Sequence, residues 1–162
     1  LYHHFPEGKE QLYTEVALRM IEADESRLQE ALATPGGLRN ILCALALLHT
    51  DDPRKVALDQ RIYDATRSVS DKTRTAVSTR YVEGLLQPVE ALMTEAVASG
   101  ELRDIDPGLL TSTFFGMANA VQGIPEDVGM PPDQRETSGL PDEQRAAQVV
   151  DLFLNGASKA GS

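Results

Sequence analysis

The segment LRNILCALALLHT, residues 38–50, is apolar on nearly every side. A helix with no polar face is enclosed by other protein elements or by lipid. Its uninterrupted apolar run, Ile41 to Leu48, falls far short of the ~20 residues that a membrane span needs. The chain itself therefore has to supply the covering, which places this segment at the centre of a folded domain and requires other elements with apolar faces around it.

Those elements carry a helical period almost throughout. Leu12, Val16 and Met20 recur every four residues, with Tyr13, Ala17 and Ile21 beside them and Glu10, Glu15, Arg19 and Glu22 between. This spacing predicts an amphipathic helix from about Lys9 to Ala31, entered at Gly8 and stopped before Pro35-Gly36-Gly37. Asp52-Pro53 pairs a capping residue with a first-turn proline and opens a shorter helix to about Thr66. Val77, Tyr81, Leu85, Val89, Leu92 and Ala96 set the rhythm of a long helix from Lys72 to Ala98, bent where Pro88 removes a backbone donor, and ended by Gly100. Asp106-Pro107 repeats the cap-and-proline start, and Leu110, Phe114, Met117 and Val121 mark the face of a fifth helix. Gly123 to Pro141 holds four prolines and no apolar period, a long loop. A sixth helix runs from about Asp142 to Ala157, with Ala146, Val149, Val150 and Phe153 on one side. No stretch alternates as a strand does. The expected fold is all-α, with about six helices.

The 162 residues suffice for one well-cored domain, and the net charge of −10 argues against this portion wrapping nucleic acid unaided. The single cysteine, Cys43, excludes a disulfide framework and fits a reducing, cytoplasmic setting without a membrane anchor. The paired histidines of the opening stretch LYHHFPEGKEQL invite a metal reading. Adjacent positions on a helix point about 100° apart, however, and no cysteine or carboxylate completes the set. No phosphate loop, His-Glu-x-x-His or nucleophile elbow is present, so neither an enzyme, a metal nor a cofactor is expected.

The opening stretch resembles the junction between the DNA-binding and regulatory parts of TetR-family transcriptional regulators. There a recognition helix ends in Leu-Tyr-x-His-Phe, and Lys-(Glu/Asp)-x-Leu opens a long helix. Leu1, Tyr2, His4, Phe5, Lys9, Glu10 and Leu12 match, while Glu7 departs from the commoner small or amide residue. The turn Gly100-Glu101-Leu102-Arg103 resembles the family's Gly-Glu-Leu-Arg turn between two later helices.

The resemblance implies residues 1–8 as the end of a helix-turn-helix whose remainder precedes Leu1, and residues 9–162 as a ligand-binding and dimerisation domain. It implies that Tyr2, His4 and Lys9 contact operator phosphates, that His3 points toward the groove, and that Phe5 anchors the DNA-binding part. It also implies a homodimer through a four-helix bundle, for which Leu110, Phe114, Met117, Val121, Val149, Val150, Phe153 and Ala157 offer faces. The expected function is a repressor released from operator DNA by a small organic molecule. The alternative is a helical ligand-binding protein or enzyme of similar architecture that does not bind DNA. A mainly apolar pocket is expected among Met20, Leu45, His49, Tyr63, Tyr81, Met93, Phe114 and Asn119, chosen by residue type and helix position. His49 also reads as a satisfied polar group at a helix end, and Phe114, Phe115 and Met117 as core.

Overall fold

The computed structural model describes residues 8–48, 50, 61–122 and 140–157. Among them all regular structure is helical. The chain divides into two compact units, residues 1–29 with 51–89, and residues 30–50 with 90–162. The segments at 51–60 and 123–139, where the Asp52-Pro53 helix start and most of the long loop were expected, lie outside the described residues.

The first unit holds most of helix α1 (Lys9–Leu32), a helical stretch α3 at 61–65, a 3-10 turn at Thr66–Ser68, and helix α4 (Asp71–Tyr81). Between them in sequence lies α2 (Leu38–Leu47), which belongs to the second unit. Tyr13, Ala17, Ile21 and Leu28 are the buried stripe of α1 in the first unit, at the helical spacing their sequence announces. From α4 the helix continues through a π-helical turn, Val82–Leu86, into α5 (Gln87–Ala98). The expected disturbance by Pro88 thus takes the form of a locally widened turn just ahead of the proline. An inserted residue of this kind makes room where a ring without an N–H meets the preceding carbonyls.

The second unit contains the end of α1, α2, most of α5, α6 (Pro107–Ala118) with a 3-10 extension at Asn119–Gln122, and α7 (Asp142–Ala157). Helix α7 packs on α2 and α6. The core is built from Leu42, Leu45 and Ala46 of α2, Met93 of α5, Leu110, Phe114 and Ala118 of α6, and Ala146, Val150 and Phe153 of α7. Phe114 and Phe153 meet edge to face, centroids 5.5 Å apart at 69°, a geometry that the ring quadrupoles favour. Arg39 of α2 adds a bidentate pair to Asp151 of α7, at 2.8 and 3.0 Å, on the exposed rim. Helix α2 departs from its expected place at the centre. Ile41, Cys43, Ala44 and Leu47 stay half-buried, so α2 flanks this core with one face covered.

Local signals set the ends. Asp106 accepts from Leu109 N at 2.8 Å with Pro107 behind it, as its sequence predicts. Gly100, at φ +80°, ends α5 in the left-handed conformation. Leu102 N then returns to Ala96 O at 3.0 Å, and Arg103 N donates to Ala157 O at 2.8 Å, tying this turn to the last residue of α7. Phe114 is fully buried, and Phe114→Ala is expected to lower unfolding stability by about 3–5 kcal/mol, measured by urea denaturation.

Candidate functional site

Residues 1–7 lie outside the described residues, and with them the expected DNA contacts Tyr2, His3 and His4. Lys9 is described, exposed in the first turn of α1. The two residues that organise this end of the helix are its neighbours. The Glu10 carboxylate accepts three hydrogen bonds at one oxygen, from Ser70 N at 3.2 Å, from the Ser70 hydroxyl, and from Thr73 Oγ1 at 2.5 Å. One turn on, the Tyr13 hydroxyl is 3.0 Å from Thr66 Oγ1. Both residues therefore join the start of α1 to the corner between α3 and α4. Arg74 braces that corner from the other side, donating to the carbonyls of Thr66 and Val69 at 3.3 Å each. Donation by Ser70 and Thr73 holds the Glu10 carboxyl below the usual glutamate range.

Further along α1, Glu25 accepts from the Arg80 guanidinium at the end of α4, beside the π turn. Gly84 within that turn is buried, and a Cβ there would fall 2.6 Å from Arg80 Nη1 and 3.3 Å from the Glu25 carboxylate. A side chain at 84 would displace the ion pair, so glycine allows the widened turn and the pair to coexist.

The expected ligand residues divide between the units. Met20, Tyr63 and Tyr81 fall in the first, with Tyr63 65% exposed and Tyr81 also exposed. Leu45, Met93, Phe114 and Asn119 fall in the second, the first three fully buried in its core and Asn119 exposed. His49 lies outside the described residues. The first unit carries two open surface clefts. One, of about 370 Å³, is lined by Tyr63, Thr66, Arg67 and Arg74. The other, of about 400 Å³, runs along α4 past Arg74, Thr75, Ser78, Thr79, Val82, Glu83 and Gln87. Among the described residues no group of His, Cys, Asp and Glu is arranged to hold a metal ion, and no helix is long and apolar enough to cross a membrane.

Most of the expected dimer residues face the chain's own core. Leu110, Phe114, Val121, Val150, Phe153 and Ala157 are buried inside the chain itself, so their side chains are not available to a partner, and Met117 and Val149 are half-buried. The apolar side chains that α6 and α7 turn outward are Leu109, 58% exposed, and Leu152, 66% exposed. Gly116 and Ala120 on one side and Gly156 on the other are also exposed, leaving a low surface beside them. Helices α6 and α7 are apolar on both sides, and most of the residues expected at an interface lie on the side that faces the chain's own core.

No protein-family model and no curated protein matches the chain. Solved structures with a similar fold include a transcriptional regulator of the TetR/AcrR family from Thermobifida fusca YX-ER1. It has a TM-score of 0.63 and 23% identity, over 96% of this chain and 77% of that one. Another is AibR, in complex with isovaleryl coenzyme A and operator DNA, at TM-score 0.67 and 22% identity, over 93% and 77%. A third, described as a putative TetR-family regulator from Shewanella sp. PV-4, gives 0.57 and 20%, over 98% and 79%. The fold is all-α and TetR-like.

A carboxylate whose folded-state pKa is depressed stabilises the fold above its unfolded pKa, and that contribution is lost as pH falls through the folded value. Glu10→Gln removes the titrating group while retaining an acceptor. Wild type is expected to be more stable than this variant at neutral pH, with the gap closing below the ordinary glutamate range. Paired urea melts across that range check it. A gap independent of pH contradicts the assignment.

Proposed function

We propose that the chain is the regulatory part of a TetR-family transcriptional regulator, a repressor that leaves its operator when a small organic molecule binds. The carrying observation is that a TetR-like fold is preceded, at the first turn of α1, by the family-like stretch Leu1-Tyr2-His3-His4-Phe5. Tyr2, His4 and Lys9 then serve as phosphate contacts, and His3 faces the groove. Phenol and imidazole donors position the protein on phosphate oxygens, and Lys9 adds a point charge beside the exposed N–H groups of a helix start. AibR, with both operator DNA and an acyl thioester, supports the pairing of these two partner classes in one fold.

The protein acts as a homodimer in this reading. The surface of α6 and α7 that carries Leu109 and Leu152 meets its copy, and the small residues Gly116, Ala120 and Gly156 let the helices approach closely. Operator half-sites one helical turn apart, about 34–36 Å, tolerate little change in the spacing of two recognition helices. A ligand favouring the DNA-incompetent state by about 1–3 kcal/mol weakens operator binding five- to 150-fold. The ligand contacts proposed within the second unit are Leu45, Met93, Phe114 and Asn119.

The decisive experiment is selection of duplexes from a random pool by the full-length gene product. An enriched, two-fold symmetric sequence is expected. Failure to enrich any sequence favours a helical ligand-binding protein or enzyme that does not bind DNA. On the selected duplex, His4→Ala and Lys9→Ala are expected to weaken binding to all sequences alike, and Lys9→Ala to reduce the salt slope by about one. A change in base preference would put these residues on bases instead.

Light scattering checks the dimer. Leu152→Glu is expected to yield a folded monomer, because Leu152 lies on the surface. Phe153→Glu, which would bury a charge against Phe114, is expected to unfold the protein. A Leu152→Glu protein that stays dimeric moves the interface elsewhere.

A further inference from the structure

We propose that the starts of α1 and α4 share one helix cap, a latch that fixes the first turn of α1 to the α3–α4 corner. In a common capping arrangement the N-cap hydroxyl accepts from the N–H three residues on. A glutamate or glutamine at that third position reaches back to the N-cap N–H. Helix α4 has the first half, since Ser70 is the N-cap and its hydroxyl accepts from Thr73 N at 3.3 Å. Its third position is Thr73, whose side chain is too short to supply the second half. The missing carboxylate comes from another helix. Glu10 accepts the Ser70 N–H at 3.2 Å, and the hydroxyls of both Ser70 and Thr73 donate to the same oxygen.

The carboxylate is well placed for this double duty. It sits in the first turn of α1 and against the first turn of α4, so the positive ends of two helix dipoles act on one negative charge. Thr73 is fitted to its part, because a glutamate there would cap α4 from within and leave Glu10 without its partner. The Tyr13–Thr66 bond one turn on adds a second attachment to the same corner. As a result the start of α1 cannot leave the corner without removing the Glu10 half of the α4 cap, and α4 cannot shift at its start without pulling on α1.

The regulatory meaning rests on the function proposed above, where the residues ahead of α1 contact DNA. In that reading the latch is the point through which α4 sets the position of those residues. The latch itself is independent of DNA.

Amide exchange followed by mass spectrometry on this chain tests it. Glu10→Ala is expected to speed exchange about five- to tenfold both at residues 9–14 and at residues 70–75, the scale of a lost cap. Glu10→Gln, which keeps an acceptor, retains most of the protection in both segments. Adding Thr73→Glu to Glu10→Ala rebuilds the cap within α4, and is expected to restore residues 70–75 while leaving residues 9–14 exposed to exchange. Unchanged exchange at 70–75 in Glu10→Ala overturns the shared cap. Recovery of both segments in the double variant overturns the latch. Where Glu10→Ala does not fold, Ser70→Ala reads the coupling from the other side, and unchanged exchange at 9–14 in that variant overturns it equally. A wild-type protein that selects no duplex defeats the regulator reading while leaving these exchange results as they stand.

Discussion

Pro88 sits within a run of helix from Asp71 to Ala98, and the first unit is arranged around the accommodation it requires. A proline there has no N–H to give and a ring that presses on the turn before it. The chain answers with the π turn Val82–Leu86, within which Gly84 leaves free the space where a Cβ would meet the side chains of Arg80 and Glu25. The vacant Cβ position is where the Arg80–Glu25 pair lies. Proline, widened turn, glycine and ion pair are thus linked steps. The pair is partly exposed, and such pairs contribute little to stability. Its larger effect is to fix which part of α1 stands beside the turn.

Both units bury apolar side chains, and the first adds polar links between its helices. In the second, burial dominates, with α2, α6 and α7 packing large apolar side chains and two phenylalanine rings in edge contact. In the first, α1 buries its stripe of Tyr13, Ala17, Ile21 and Leu28, and hydrogen bonds at Glu10, Tyr13 and Glu25 join it to the α3–α4 segment. No residue of α4 is buried. Apolar packing is insensitive to direction, whereas hydrogen bonds to a carboxylate hold only in a narrow range of distance and angle. The joint between α1 and the α3–α4 corner accordingly depends on individual bonds as well as on burial.

Much of the fold was legible because its signals are local. Asp106-Pro107, Gly100 and the apolar spacing of α1 and α7 each act within a turn of the residues that encode them, and the limits of α7 were read as they stand. Three things were not legible. Helix α6 carries Leu109 beside Leu110 and Phe114 beside Phe115, so apolar period alone could not tell its core side from its outer side. Helix α2 looked central because it lacks a polar face, yet it leaves several apolar side chains half-covered. The bond from Glu10 to Ser70 spans 60 residues of sequence. The only trace of it in the sequence is a negative one, a Ser-x-x-Thr start where a glutamate would complete the cap.

The tie between Arg103 N and the Ala157 carbonyl has a temporal side. During synthesis the turn at Gly100 to Arg103 is made long before its acceptor exists, and the buried side chains of α6 wait for α7 as well. The described parts of the first unit precede residue 90 and can come together while the ribosome is still adding the later helices of the second. The second unit stays open until its last helix has emerged, with Phe114 uncovered by Phe153 in the interval. A stalled or prematurely ended chain would therefore present a finished polar-linked unit joined to an exposed apolar one, and this is the form that chaperones and proteases recognise.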